Sequence, residues 1–115
     1  MDKNCLFCKI INNEIPATII DENSYSLAFK DINPQANIHI LIIPKIHISC
    51  INELKINNIQ YLSNMFLLTK KITKNINVQN SGYRLIINTG KDGGQTVDHL
   101  HLHLLAGKKL NWPPE

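Results

Sequence analysis

Apolar and polar residues alternate in different registers along this chain, and each change of register marks an element. The apolar stretch Leu6 to Ile11 runs into Glu14-Ile15-Pro16, where Pro16 stops a short helix. Ala17 to Asp21 is β-branched, Glu22-Asn23-Ser24 has turn composition, and Tyr25 to Lys30 alternates Tyr, Leu and Phe with Ser, Ala and Lys. A two-residue period places one strand face inward, so these segments predict a β-hairpin. Asn33-Pro34-Gln35 breaks the pattern, and Ile38 to Ile43 resumes as an apolar strand interrupted only by His39 and ended by Pro44. From about Ile56 to Ile76 the period lengthens. Ile59, Leu62, Met65, Phe66, Leu68, Ile72 and Ile76 recur every three or four residues with Asn58, Gln60, Lys70, Lys71 and Lys74 between them, which predicts an amphipathic helix. Tyr83 to Asn88 predicts a strand, Gly90 to Gly94 a glycine-rich turn, and His99 to Leu105 a last strand. One long helix, one short helix and hairpin-length connections predict an α+β fold on a mostly antiparallel, five-stranded sheet.

A chain of 115 residues fits one domain, spanning 1–115, and no repeat, low-complexity tract or Ser/Pro linker divides it. With 43% hydrophobic and 18% charged residues, wholesale disorder is excluded. The net charge of +3 is thinly spread: Lys70-Lys71 and Lys108-Lys109 are pairs, not runs, which argues against a nucleic-acid polymer as partner. No apolar run approaches the roughly 20 residues of a membrane span. Met1 to Asn4 has no basic segment leading into an apolar one, and Cys5, Cys8 and Cys50 make an odd, sparse set. These features predict a cytoplasmic protein with reduced thiols, Cys50 being a buried small residue.

Residues 98–107 carry the chemistry: Asp98-His99-Leu100-His101-Leu102-His103-Leu104-Leu105-Ala106-Gly107. On a strand, His99, His101 and His103 share one face at roughly 6.5 Å intervals, and Leu100, Leu102 and Leu104 share the other. A solvated polar face explains such a row poorly. Imidazole is a common zinc ligand, yet the first and third rings stand too far apart on a flat strand to share one ion. Nucleophilic and acid–base catalysis at phosphorus fits best, because imidazole attacks at neutral pH, leaves readily, and donates hydrogen bonds to phosphoryl oxygens. Asn88 to Thr96 precedes the histidines, and its glycines allow backbone N–H groups to line an anion nest, a plain hairpin turn being the alternative.

The run His99-Leu-His101-Leu-His103-Leu-Leu resembles the signature of the histidine-triad (HIT) superfamily. Further likeness lies in Phe29-Lys-Asp31-Ile32-Asn-Pro34-Gln35-Ala36, in His39 through Pro44 to His47 and Ser49, in Asp92-Gly-Gly-Gln95-Thr96-Val97, and in Trp112-Pro113-Pro114. The Trp-Pro-Pro end is similar to the Hint branch. This resemblance implies a purine nucleoside phosphoramidase that hydrolyses the P–N bond between AMP or GMP and an amine, lysine-type amines included. It implies His101 as the nucleophile, His103 as a phosphate ligand, His39 as the residue that orients the nucleophile, and His99 beside them. It further implies Asp31 on the ribose hydroxyls and Leu6, Phe7, Ile10, Phe29, Ile32 and Leu41 around the purine, any of which could equally be plain core. Asn88, Gly94, Gln95 and Thr96 would line phosphate and leaving amine. Members of the branch are homodimers whose C-terminal tail, here with Trp112, reaches the partner's site.

Cys5-Leu-Phe-Cys8 has the spacing of a zinc-binding pair. The resemblance implies that in some relatives Cys5, Cys8, His47 and His99 hold structural zinc, while others need no metal or cofactor. No βαβ pattern surrounds the pair, which argues against a thioredoxin-type redox role. Two rival functions stay open: hydrolysis of dinucleoside polyphosphates by the same nucleophile, and a nucleotide- or zinc-binding interaction module.

Overall fold

The computed structural model describes residues 2–114. Helix α1 spans Leu6–Ile11, and strands β1 (Ile19–Glu22), β2 (Ser26–Lys30) and β3 (Ile38–Pro44) follow. The long helix α2 covers Ile59–Asn75, and strands β4 (Tyr83–Ile86) and β5 (Leu102–Ala106) complete the chain. The five strands form one antiparallel sheet in the order β1-β2-β3-β5-β4. No helix among the described residues is long and apolar enough to cross a membrane.

Strand β3 is buried on both faces, which accounts for its nearly unbroken apolar run. Ile40 and Ile42 join Ala28, Leu102 and Leu104 against Met65, Leu68 and Ile72 of α2. Leu41 and Ile43 point the other way, into a second cluster with Phe29 and with Phe7, Cys8 and Ile10 of α1. His39 and His103 share the parity of Leu41 and Leu105, so period two alone carries both imidazoles to the α1 face. The inner face of α2 runs Met65, Leu68, Thr69, Ile72, Thr73. Its two buried threonines bond the carbonyls four residues back, at 2.9 Å each.

The first hairpin strand is shifted to Ile19–Glu22, taking Glu22 out of the expected turn, and three other boundaries differ more. The long helix starts at Ile59, after 3-10 turns at Ile51–Glu53 and Ile56–Asn58, because Ile56 is 93% exposed and no packing holds a first α-turn there. Strand β4 ends at Ile86, short of Asn88. Strand β5 begins only at Leu102, leaving His99 and His101 ahead of the ladder. Pro44 causes this last change. In the β3–β5 register it would face Leu100, but it has no N–H to donate. The Leu100 carbonyl therefore has no ladder donor on β3, the Pro44 carbonyl accepts from His99 Nε2 at 3.1 Å, and the Leu100 N–H donates to the carbonyl of Ile48 at 2.6 Å. Leu100 still packs with Leu102 and Leu104, so the alternation persists beyond the ladder.

Candidate active site

A cavity of about 290 Å³ opens between α1, β2, β3 and the segment entering β5. Leu6, Phe7, Ile10, Phe29, Ile32 and Leu41 all line it, together with Asp31, Thr96, His101 and His103. Phe7 is the organising side chain. Its ring meets Phe29 edge-on at 5.5 Å, His101 at 5.2 Å and His99 at 5.8 Å.

Hydrogen bonds fix the tautomers of the two cavity histidines. The Nδ1 of His101 lies 2.7 Å from the carbonyl oxygen of His99. A carbonyl only accepts, so Nδ1 carries the proton and Nε2 keeps its lone pair. The backbone N–H of Gln35 donates to His39 Nδ1 at 3.0 Å, so neutral His39 holds its proton on Nε2. That Nε2 lies 2.9 Å from His103 Nδ1. Donation there leaves His103 protonated on Nε2, a buried atom with no hydrogen-bond partner among the described residues. Burial, reinforced by His101 and His39, pushes His103 down to about 4, and burial likewise lowers His39 against the pull of Asp31. Both rings are therefore neutral near pH 7. The two rings of His101 and His103, 4.9 Å apart, both line a largely apolar cavity.

The geometry also places the other candidate residues. His39 pairs with His103, not with His101, because the β3–β5 register sets Leu41 opposite His103 and brings the two rings side by side. His99 does not line the cavity. Its Nε2–H donates to the Pro44 carbonyl at 3.1 Å, and its Nδ1 faces Cys5 Sγ at 3.3 Å and Cys8 Sγ at 3.6 Å. Gln95 is engaged elsewhere: its amide donates to the carbonyls of Ser49 (2.7 Å) and Val97 (3.0 Å), and its oxygen accepts the Gly90 N–H. Asn88 and Gly94 also lie outside the cavity lining. Trp112 is 79% exposed, its ring under the Arg84 guanidinium and away from this chain's cavity. Cys50 is half-buried. Conversely, Ile15, Pro16, Ala17, Lys30 and Val97 line the cavity without having been singled out. The signal for the first three was the proline stop itself, which turns the chain across the cavity between helix and hairpin.

Cys5, Cys8, His47 and His99 gather on the far side of Phe7, their ligand atoms all within 4.8 Å of one another. The sulfur–nitrogen separations of 3.3, 3.4 and 3.6 Å match the edge of about 3.6 Å expected for tetrahedral zinc with bonds of about 2.3 and 2.0–2.1 Å. His99 already presents a lone pair at Nδ1, since its Nε2–H is held by Pro44. Burial, with Cys5 alongside, pushes the Cys8 thiol up to about 11, and burial pushes His99 down to about 4. The donor set therefore fits a structural zinc, which binds by displacing thiol protons.

Imidazoles carried on one face of an antiparallel sheet, opposite its long helix, define a histidine-triad architecture. The HIT domain model matches residues 12–110, and the chain belongs to that family. It is 49% identical over 106 residues to an uncharacterised HIT-like protein of Buchnera aphidicola, covering 92% of this chain and 95% of the relative. The crystal structure of a HIT family hydrolase from Legionella pneumophila superposes with a TM-score of 0.94 at 48% identity, covering 97% of this chain and 100% of the other. A histidine triad nucleotide-binding protein from Candida albicans superposes with a TM-score of 0.83 at 35% identity, covering 97% and 85%.

Proposed function

We propose that this protein, a HIT family hydrolase of the Hint type, cleaves the P–N bond of adenosine and guanosine 5′-phosphoramidates through a nucleotidyl intermediate on His101. The observation that carries this reading is the 2.7 Å bond from His101 Nδ1 to the His99 carbonyl, which leaves Nε2 as a lone-pair nucleophile at the cavity. The purine enters the apolar slot between Phe7, Phe29, Ile32 and Leu41, and Asp31 accepts the ribose hydroxyls. The Nε2–H of His103 and the Thr96 hydroxyl receive the phosphoryl oxygens. Attack by His101 Nε2 breaks the P–N bond, and the amine departs after taking up one proton from solvent, which the later hydrolysis returns. Water then cleaves the phosphorus–imidazole bond and releases the nucleotide, so two displacements replace one harder step. The nucleotide-binding description of the Candida relative supports the same ligand class.

Structural zinc at Cys5, Cys8, His47 and His99 would tie the N-terminal helix to the segment bearing the nucleophile. Strand β4 is an edge of the sheet. Together with the exposed Trp112 it supports a homodimer, and the three free cysteines support a cytoplasmic setting. Rapid quenching with an adenosine phosphoramidate, followed by peptide mapping, tests the reading. A nucleotide adduct on His101, lost in His101→Asn while AMP binding persists, is expected. An adduct elsewhere, or faster cleavage of a dinucleoside polyphosphate, overturns it.

A further inference from the structure

The Nε2 of His39 has one proton and two acceptors. His103 Nδ1 lies 2.9 Å away and Asp31 Oδ2 3.3 Å away. The opposite ring nitrogen is already taken by the Gln35 N–H, so this proton cannot move to Nδ1 without breaking that bond. The arrangement is held firmly. Asp31 donates its backbone N–H to the His39 carbonyl at 3.0 Å, its Oδ1 accepts the Asn33 N–H at 2.8 Å, and the two side chains are only 17% and 4% exposed. Asp31 also lines the cavity, where a ligand can reach it.

A carboxylate oxygen that accepts a hydroxyl proton has its charge spread and pulls less on a second donor. When a ligand hydroxyl occupies Asp31, the His39 proton therefore leans toward His103. Stronger donation to Nδ1 commits the His103 proton to Nε2, an atom buried without a partner among the described residues, on a ring that lines the cavity. Without that hydroxyl, Asp31 at 3.3 Å competes for the His39 proton, and the 2.9 Å hydrogen bond that fixes the His103 tautomer is the weaker for it.

We propose that Asp31 is a positioning residue for His103, acting through His39, so that the ribose hydroxyls bound at one end of the nucleotide set the hydrogen bond offered to phosphate at the other. The substrate class this selects is the ribonucleotide, discriminated from its deoxy counterparts in the chemical step as well as in binding. The inference rests on the phosphoramidase reading for its rate consequence, whereas the tautomer coupling needs only nucleotide binding.

Two measurements test it on the intact protein. In histidine nitrogen-15 NMR, saturating AMP is expected to raise the Nε2–H form of His103, and saturating 2′,3′-dideoxy-AMP to leave it as in the free protein. In single-turnover kinetics at saturation, the dideoxy phosphoramidate is expected to form the His101 adduct about tenfold more slowly than the ribose substrate, the effect of one ordinary hydrogen bond. That ratio should fall to about one in Asp31→Asn and in His39→Gln, with unchanged melting of Asp31→Asn confirming an intact fold. Identical His103 signals with the two nucleotides, or equal saturated rates in the unsubstituted protein, would overturn the coupling. If no adduct forms at all, the phosphoramidase reading fails while the NMR comparison still decides the relay.

Discussion

The backbone carbonyl of His99 holds the Nδ1–H of His101 at 2.7 Å, while the His99 side chain turns away to Cys5 and Cys8. One residue thus serves two centres, its main chain orienting the His101 ring, the nucleophile of the proposed reaction, and its imidazole completing a thiol–imidazole cluster.

Loosening the cluster should therefore be felt at the nucleophile. Cys8→Ser is expected to lower the zinc content of purified protein and to slow adduct formation on His101. If the metal is present at ~100 times its dissociation constant, stripping it should lower stability by about 3 kcal/mol. Elemental analysis with thermal melting before and after chelation checks this.

Acid should destabilise the metal-free protein through its buried imidazoles. His99 and His103 sit at about 4 when folded, against roughly 6.5 for the exposed residue in the unfolded chain. Between those values the unfolded chain binds more protons, so stability rises with pH across the window. Melting temperature is expected to hold above pH 6.5 and to fall steadily from there toward pH 4. A flat profile over this range would show that the two rings do not stay neutral in the fold.

Phe7→Ala should damage slot and stability together. The ring is 4% exposed and touches Phe29, His99 and His101. Removing such a ring costs about 3–5 kcal/mol, and loss of the slot wall should raise KM for the nucleotide. Urea unfolding and steady-state kinetics read the two effects separately.

Gln95→Ala separates a loop clip from a substrate contact. The side chain bonds Ser49, Val97 and Gly90, so its loss should lower stability by about 1–3 kcal/mol and leave KM for AMP-type substrates nearly unchanged. A large rise in KM without destabilisation would restore Gln95 to the ligand.

Much of this architecture was legible in the chain. Period two located β2, β3 and the leucine side of the last strand, and periods of three and four located α2. The identity of the cavity wall came from the histidine-triad resemblance, alternation by itself sending only Phe29 and Leu41 of that wall to the α1 face. What escaped depended on a missing proton and on register. Pro44 cannot extend the ladder toward Leu100, and its carbonyl instead holds the His99 ring, whose other nitrogen faces the cysteines. The pairing of His39 with His103 arises from strands 64 residues apart in sequence and needs the β3–β5 register to be seen. The apolar letters Ile59 and Phe66 misled for another reason: they are 53% and 42% exposed, so helical spacing alone did not tell core from surface.

Phe7 packs against both histidine centres, and this makes the slot unevenly redesignable. A variant meant to admit bulkier bases cannot shave that ring without loosening the cysteine pair and the nucleophile at once. Ile15 and Ala17 offer another route, because they line the same cavity from the connection between α1 and β1 and are only half-buried.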